Sequence, residues 1–585
     1  MQMALEPRKS RKRSLWPVYV VLAALVVLIL TAGWFIYEQW KENQPNQEHV
    51  EPTFGNNPKP VFYRGEMLKD PAAGEGERLM LSLDTIIEQL DPYVHYEEQS
   101  ESVIITTSSK VIRFKTDQLT AWVNEKPLSL SFPIEKMASQ VYVPVGVIES
   151  YYRFETQEHA ETGAVLLFKE GDIRQWASAV TNPDEPEQPV ALRTEPDIKA
   201  PILADLASGE KLLVWSEEAH WYRVQTMSGW IGYVQKNDAV LGQPELIQDT
   251  DVAEEKPVIP WKPLGGKINL TWEHVVSKNP DTSKIGEMPG LNVISPTWFA
   301  LADDEGTVSN KASKTYLDWA HKRGYQVWAL FSNDFDPDRT KAVLSNYDTR
   351  MNVIRQLLGY AELYGFEGIN IDFENVYLED KEKVTQFVRE LTPYLHEQGL
   401  VVSIDVTIRG GSPMWSLFLD RKALGQTVDY MMVMTYDEHW ASSPVAGSVA
   451  SLPWTEKGIT DILREDRVPA SKLLIGVPYY TRIWSEETVD GKLKVSSKAV
   501  GMEAVNKIIR DKKLEPELDP ATGQDYVEYK EDDVLKRIWI ENERSMQARI
   551  ELVKKYDLAG VASWRRGFEA ANIWDVIKST LEQKP

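Results

Sequence analysis

Cysteine is absent from the 585 residues. Disulfide staples and thiolate metal sites are therefore excluded. Histidine is scarce at eight residues, and no two stand at i, i+4, so no metal or other cofactor is expected. A basic excess is also missing: Lys and Arg number 65 against 88 Asp and Glu, for a net charge of -23. Nucleic acid is not an expected partner, because phosphate binding needs a positive patch. Long apolar runs are lacking too, with one exception. Residues 17–37, PVYVVLAALVVLILTAGWFIY, carry no charge over 21 positions, enough to cross a bilayer. The basic stretch RKSRKR at 8–13 precedes them and would hold residues 1–16 in the cytoplasm as a tail. The run is longer than a usual signal-peptide core and no clear small-x-small cleavage site follows it. An uncleaved anchor is the favoured reading, and a cleaved signal with secretion is the alternative.

What is present describes several folded domains. Apolar residues make up 43% and charged residues 26%, which fits globular units rather than disorder. Tryptophan is abundant at 20; a surplus suits core packing or stacking on sugar rings. Residues 38–58 are polar and rich in Pro and Asn, and read as a linker. Residues 59–172 read as β-rich with short helices and hold a weak internal repeat. The stretch LMLSLDTIIEQLDPYVHYEEQSESVIIT (79–106) parallels VYVPVGVIESYYRFETQEHAETGAVLLF (141–168). This region resembles the copper amine oxidase N-terminal-like stalk domain, which implies a spacer or wall-associated module. Only His95 and His159 lie here, so a copper site is not expected.

Residues 188–240 show short alternating runs broken by turn signals, as in a small β-barrel. The "WYRV" and "GWIGYV" segments resemble a bacterial Src-homology-3-like domain. Such a module would bind wall peptides or glycans, or act as a spacer with Trp221 and Trp230 in its core. An acidic linker is expected at 241–258.

From residue 259 to 585 the texture changes. Eight apolar runs, at 267–272, 291–299, 326–331, 368–374, 401–406, 430–436, 473–480 and 560–564, alternate with amphipathic stretches. Eight strand–helix units predict a (β/α)8 TIM barrel. The competing open doubly wound sheet lacks a Gly-rich phosphate loop after its first strand. A gap at 485–541 predicts a small α+β insertion after the seventh strand.

The stretch GINIDFENV (368–376) carries the chemistry. Ile369, Ile371 and Phe373 alternate with Asn370, Asp372 and Glu374, so a strand here has one apolar and one polar face. In a barrel the polar face points inward and Glu374 emerges last, at the mouth where active sites form.

EGINIDFE (367–374) resembles the strand-four motif D-x-x-D-x-D-x-E of glycoside hydrolase family 18. Glu367 and Asn370 depart from the first two slots, while Asp372 and Glu374 match the last two. The Asn form is similar to the branch of spore-cortex and peptidoglycan N-acetylglucosaminidases. MTYD at 434–437 and VASW at 561–564 match the family's strands six and eight.

This resemblance implies a retaining, substrate-assisted hydrolase of β-1,4-linked N-acetylglucosamine glycans, most favourably peptidoglycan, with chitin oligomers as the alternative. Glu374 would be the acid/base, Asp372 would orient the substrate acetamido group, and Tyr436 would bond its oxygen. Asp437 would hold the sugar, Trp564 would floor it, and Asn370 would support Asp372. Trp298, Trp440 and Trp484 stand near strand ends, as sugar subsites or as core. Arg482 reads as a structural ion pair or a substrate contact, and Asp405 as a network carboxylate or filler. Because an amide stands at 370, Asp372 is expected to have no carboxyl beneath it with which to share a proton. A non-catalytic glycan-binding scaffold is the reading from another class.

Overall fold

The computed structural model describes residues 16–182, 186–248, 258–263, 266–489 and 491–582. The basic stretch at 8–13 lies outside them. The chain forms two compact units, one of residues 1–90 and 135–253, the other of 91–134 and 254–585.

The first unit opens with an α-helix, Trp16–Glu42. It is long and apolar enough to cross a membrane, a test that a signal sequence also passes. The helix runs five residues into the stretch read as a linker (38–58). The rest of that stretch is not free either. His49 bridges to Ile202, and the Asn46 amide donates to the Lys199 carbonyl at 3.0 Å.

The internal repeat has structural meaning. Each copy runs strand, short helix, strand, strand: Met80–Ser82, Leu83–Gln89, His95–Glu97 and Ser102–Thr106 in one, and Gln140–Pro144, Val145–Ile148, Phe154–Glu158 and Val165–Lys169 in the other. The leading strands pair antiparallel, Tyr142 against Ser82. Beyond them lies a seven-stranded antiparallel sheet that begins at Ile173 and ends at Leu246. Both outer limits correct the sequence reading of 188–240. Ile173–Ala179 and Ala239–Leu246 pair with each other, so the stretch from 241 to 246 is strand rather than linker.

The second unit contains the barrel. Its strands are β1 (Ile268–Glu273), β2 (Val293–Leu301), β3 (Gln326–Ser332), β4 (Gly368–Asp372), β5 (Val401–Thr407), β6 (Tyr430–Met434), β7 (Leu473–Pro478) and β8 (Gly560–Trp564). All neighbours are parallel, and β8 returns to β1 to close the ring. Helices such as Tyr347–Tyr364 and Lys381–Glu397 cover the outside. The connection from β1 to β2 has only a short 3-10 turn, Thr282–Lys284. After β7 the chain makes a five-stranded antiparallel sheet with the helix Met502–Lys512, the expected insertion, though its first strand already starts at Tyr480.

The barrel has two apolar layers. Leu270, Trp272, Trp328, Leu330, Met432 and Leu474 fill the inside. Ile369, Ile371, Phe373, Val402 and Ile404 face the helices. A five-stranded meander, His95–Glu97 to Lys126–Ser129, belongs to this unit as well. Its Ile104 and Val111 join the outer barrel core. Its Glu97 meets Arg350 of the helix Tyr347–Tyr364 at 3.1 Å, and both side chains are buried. The segment expected to form one stalk domain (59–172) is thus divided between the units.

Candidate active site

Strand β4 aims its polar face as the alternation requires. Ile369, Ile371 and Phe373 are buried in the outer layer, leaving Asn370 and Asp372 to point inward. Gly368 starts the strand where space is tightest: a Cβ there would lie 2.8 Å from the Trp328 indole and 2.9 Å from the Val401 carbonyl. Glu374 follows the strand end and its backbone is clamped. The Asn333 amide nitrogen donates to the Glu374 carbonyl at 2.8 Å, and the Glu374 N–H donates to the Asn333 Oδ1 at 3.0 Å. Asn333 is itself held, donating to Thr340 at 2.9 Å. Glu367, at the foot of the strand, pairs with His321 at 2.8 Å and accepts from the Val327 N–H, well below the reacting end.

The layer under Asp372 is a hydrogen-bonded set. The Asn370 Nδ2 donates to the Asp405 Oδ2 at 2.8 Å, and the Ser403 hydroxyl donates to the Asn370 Oδ1 at 2.8 Å. The Trp272 Nε1 donates to the same Asp405 oxygen at 3.1 Å. Asp405 is therefore part of the network. It corrects the expectation that an amide at 370 leaves Asp372 without a carboxyl neighbour: that neighbour comes from the adjacent strand.

Among the described residues no cation bonds to these carboxyls, and their protonation follows. Burial raises Asp372 to about 7. Burial, then the charges of Asp372 and Asp437, push Glu374 well above the carboxylate range. Burial and Asp372 raise Asp405 as well, against the opposing bond from Asn370. Tyr436 is pushed up by burial and then by Asp405, Tyr480, Asp372 and Glu374. Its hydroxyl stays neutral and able to donate beside these carboxyls.

Asp437 lies at the rim with a left-handed backbone, φ 63°. Its Oδ1 accepts from the Tyr480 hydroxyl at 2.6 Å and from Arg482 at 2.8 Å. Arg482 is thus a structural ion pair. Trp564 ends β8, its ring 6.0 Å from both the Trp272 and His274 rings. Trp298 does not belong to the site. It is fully buried, donates to Asn279 at 2.7 Å and packs on Tyr316. A register shift between Thr297 and Phe299 interrupts the alternation of β2 at this point. Trp484 is likewise buried, donating to the Gly447 carbonyl at 2.8 Å. Trp440 is 53% exposed on the loop after β6. Sequence reasoning missed Asn333, Trp272, Ser403 and Tyr480. For Ser403 a signal existed, since it pairs in register with Asn370.

A closed parallel barrel forms its active site at the C-terminal ends of its strands, which is where Glu374 lies. Residues 282–569, most of the barrel, match the model of glycosyl hydrolases family 18. Residues 64–167 match the copper amine oxidase N-terminal domain. The chain is 28% identical over 300 residues to the uncharacterized glycosylase YvbX of Bacillus subtilis (strain 168), covering 49% of this chain and 84% of that one. It is 26% identical over 252 residues to the cortical fragment-lytic enzyme of Bacillus anthracis, covering 42% of this chain and 57% of that one. Among solved structures, the C-terminal domain of a chitinase-like protein from Desulfitobacterium hafniense DCB-2 aligns at 23% identity with a TM-score of 0.49, covering 54% of this chain and 99% of that one.

Proposed function

We propose that this glycoside hydrolase cleaves β-1,4-linked N-acetylglucosamine glycans with retention, and that peptidoglycan is its substrate. The observation that carries this reading is the protonated state imposed on Glu374 by burial and by Asp372 and Asp437. An acid that keeps its proton near neutral pH can give it to a leaving glycosidic oxygen. The acetamido oxygen of the same sugar attacks C1 as the C1–O bond breaks, giving an oxazolinium ion. Asp372 receives the acetamido N–H and offsets the positive charge, and Tyr436 donates to the acetamido oxygen. Glu374, now a carboxylate, takes a proton from water; the oxygen adds to C1, the oxazolinium opens, and the acid is restored. Asp437 holds the sugar, Trp564 lies under it, and Trp440 offers a ring at the rim. Asn370 supports Asp372 through Asp405.

Peptidoglycan is favoured by the apolar helix at Trp16–Glu42 and by the name of the cortical fragment-lytic relative. In this reading the helix is an uncleaved single-pass anchor with its N-terminus in the cytoplasm, and the barrel works outside the membrane on the cell wall. The residues from 188 to 240, extended to 173–246, would act as a wall-directed module. The test is mass spectrometry of products from peptidoglycan and chitin oligomers treated side by side, with NMR of the first anomer released. Peptidoglycan fragments ending in N-acetylglucosamine and an initial β-anomer are expected. Release from chitin alone overturns the substrate, and an initial α-anomer overturns retention.

A further inference from the structure

Asn370 pairs with Ser403 and Ile371 with Ile404 across β4 and β5. One step further, the same parallel register sets Asp372 beside Asp405 on the inner face, about 4.8 Å apart between strand axes. The Oδ1 of each is buried and has no hydrogen-bond partner, whereas the Asp405 Oδ2 is saturated by Asn370 and Trp272. Two neighbouring carboxyls, Asp405 buried and Asp372 half-buried, each with one buried unmet oxygen and no cation among the described residues, cannot both stay ionised at modest cost. A single proton between the two free oxygens satisfies both.

We propose that Asp372 and Asp405 form a proton-sharing carboxyl pair across β4 and β5, with Asp405 as a positioning residue that keeps the proton when Asp372 turns to its substrate. Asn370 is then the fixture of the pair rather than a defect in it. It donates to the Oδ2 of Asp405 while its own oxygen is taken up by the Ser403 hydroxyl. That leaves Asp405 Oδ1 as the seat of the proton. As the acetamido group enters, the proton stays on Asp405 Oδ1 and Asp372 carries the negative charge; as product leaves, the pair shares the proton again. No net charge enters or leaves the barrel. The other titratable groups that act on the pair are Glu374 from the end of β4 and Tyr436 from the end of β6. Asp437 acts on Glu374 and Tyr480 on Tyr436 in turn, and Arg565 at the end of β8 acts on His274 at the end of β1. Arg482 is taken up by Asp437.

The role given to Asp372 in turnover rests on the proposed function, but the shared proton does not. The test therefore has two arms on the full-length chain. Carbon-13 NMR of labelled aspartate carboxyls needs no substrate. In the wild type, Asp372 and Asp405 should titrate together in two steps, and in Asp405→Asn the Asp372 signal should titrate once. An unchanged Asp372 titration overturns the pair. In the pH profile of kcat/KM, Asp405→Asn should move the acidic limb upward by about one pH unit or more, because Asp372 then takes up its proton alone. Asn370→Asp/Asp405→Asn, which returns a carboxyl to β4, should bring the limb back. A uniform loss at all pH values with the limb in place overturns the role of Asp405. If Asp405→Asn fails to fold, Asp372→Asn carries the same test from the other side: Asp405 should then titrate in one step, and two steps overturn the pair. Intact coupled titration without glycan cleavage leaves the pair standing and removes only the catalytic reading.

Discussion

Two clusters in the second unit hold carboxyl groups in opposite ways. In one, Arg350 lies between Glu390, at 2.7 and 2.9 Å, and Glu97, at 3.1 Å, all of them at most 4% exposed. Burial works against the Arg350 cation, but the two glutamates outweigh it and its pKa rises. In the other, Asp372, Asp405 and Glu374 meet no cation among the described residues; desolvation drives all three upward, and neighbouring carboxylates add to it at Asp405 and Glu374. The first arrangement gives both carboxylates one shared counterion and fastens the meander to a barrel helix. The second leaves charge unmatched, so protons must take the place of a cation. Buried charge alone therefore does not mark a site, whereas buried charge without a counterion does.

The contrast can be broken most severely at Glu374. Glu374→Gln keeps the shape and removes the transferable proton, so kcat should fall by about a thousandfold or more, with the thermal midpoint unchanged or slightly higher. Steady-state kinetics and thermal unfolding on one preparation check both halves. The matched cluster should respond the other way. Arg350→Met removes the cation from Glu390 and Glu97, leaving them only the donors Gln386 and Ser100, and should cost about 3–5 kcal/mol in urea unfolding, with kcat per folded molecule nearly unchanged. For the same reason a fragment beginning at residue 259 would lack Glu97 and should be less stable than the whole second unit.

Asp372 sharpens the comparison through pH. Its pKa is raised in the folded state from the ordinary 3.8 to about 7. The folded protein thus binds more protons than the unfolded chain between those values, and the contribution of Asp372 to stability falls as pH climbs through that window. Asp372→Asn should match the wild type near pH 4 and exceed it at pH 8 by on the order of 2 kcal/mol, while turnover is lost. Urea titrations at the two pH values measure this. The smallest effect is at the rim. Trp440→Ala should raise KM by about threefold, less than 1 kcal/mol, without altering stability. Trp298→Ala, which opens a core cavity, should instead cost about 3–5 kcal/mol of stability.

These outcomes depend on features the sequence disclosed unevenly. All eight barrel strands were legible, because parallel strands buried on both faces leave continuous apolar runs. Alternation in GINIDFENV placed Asp372 and Glu374 on one face, and the structure keeps them there. What the sequence could not express was lateral. Asp405 lies 33 positions beyond Asp372 and becomes its neighbour only through strand register. Asn333 reaches Glu374 from the loop after β3. Trp298 looked like a rim residue because a bulge interrupts the period of two in β2. The division of the β-rich segment was also hidden, since the meander's allegiance to the barrel rests on single side chains such as Ile104, Val111 and Glu97.

The protonation of Glu374 tests the reading of the site most directly. Carbon-13 NMR of glutamate carboxyls in the full-length chain, with Glu374→Gln to assign the signal, gives its midpoint. A midpoint well above the ordinary 4.5, with the proton still present near neutral pH, is the predicted result. A midpoint near 4.5 would contradict the view that unmatched buried carboxyls hold the acid ready.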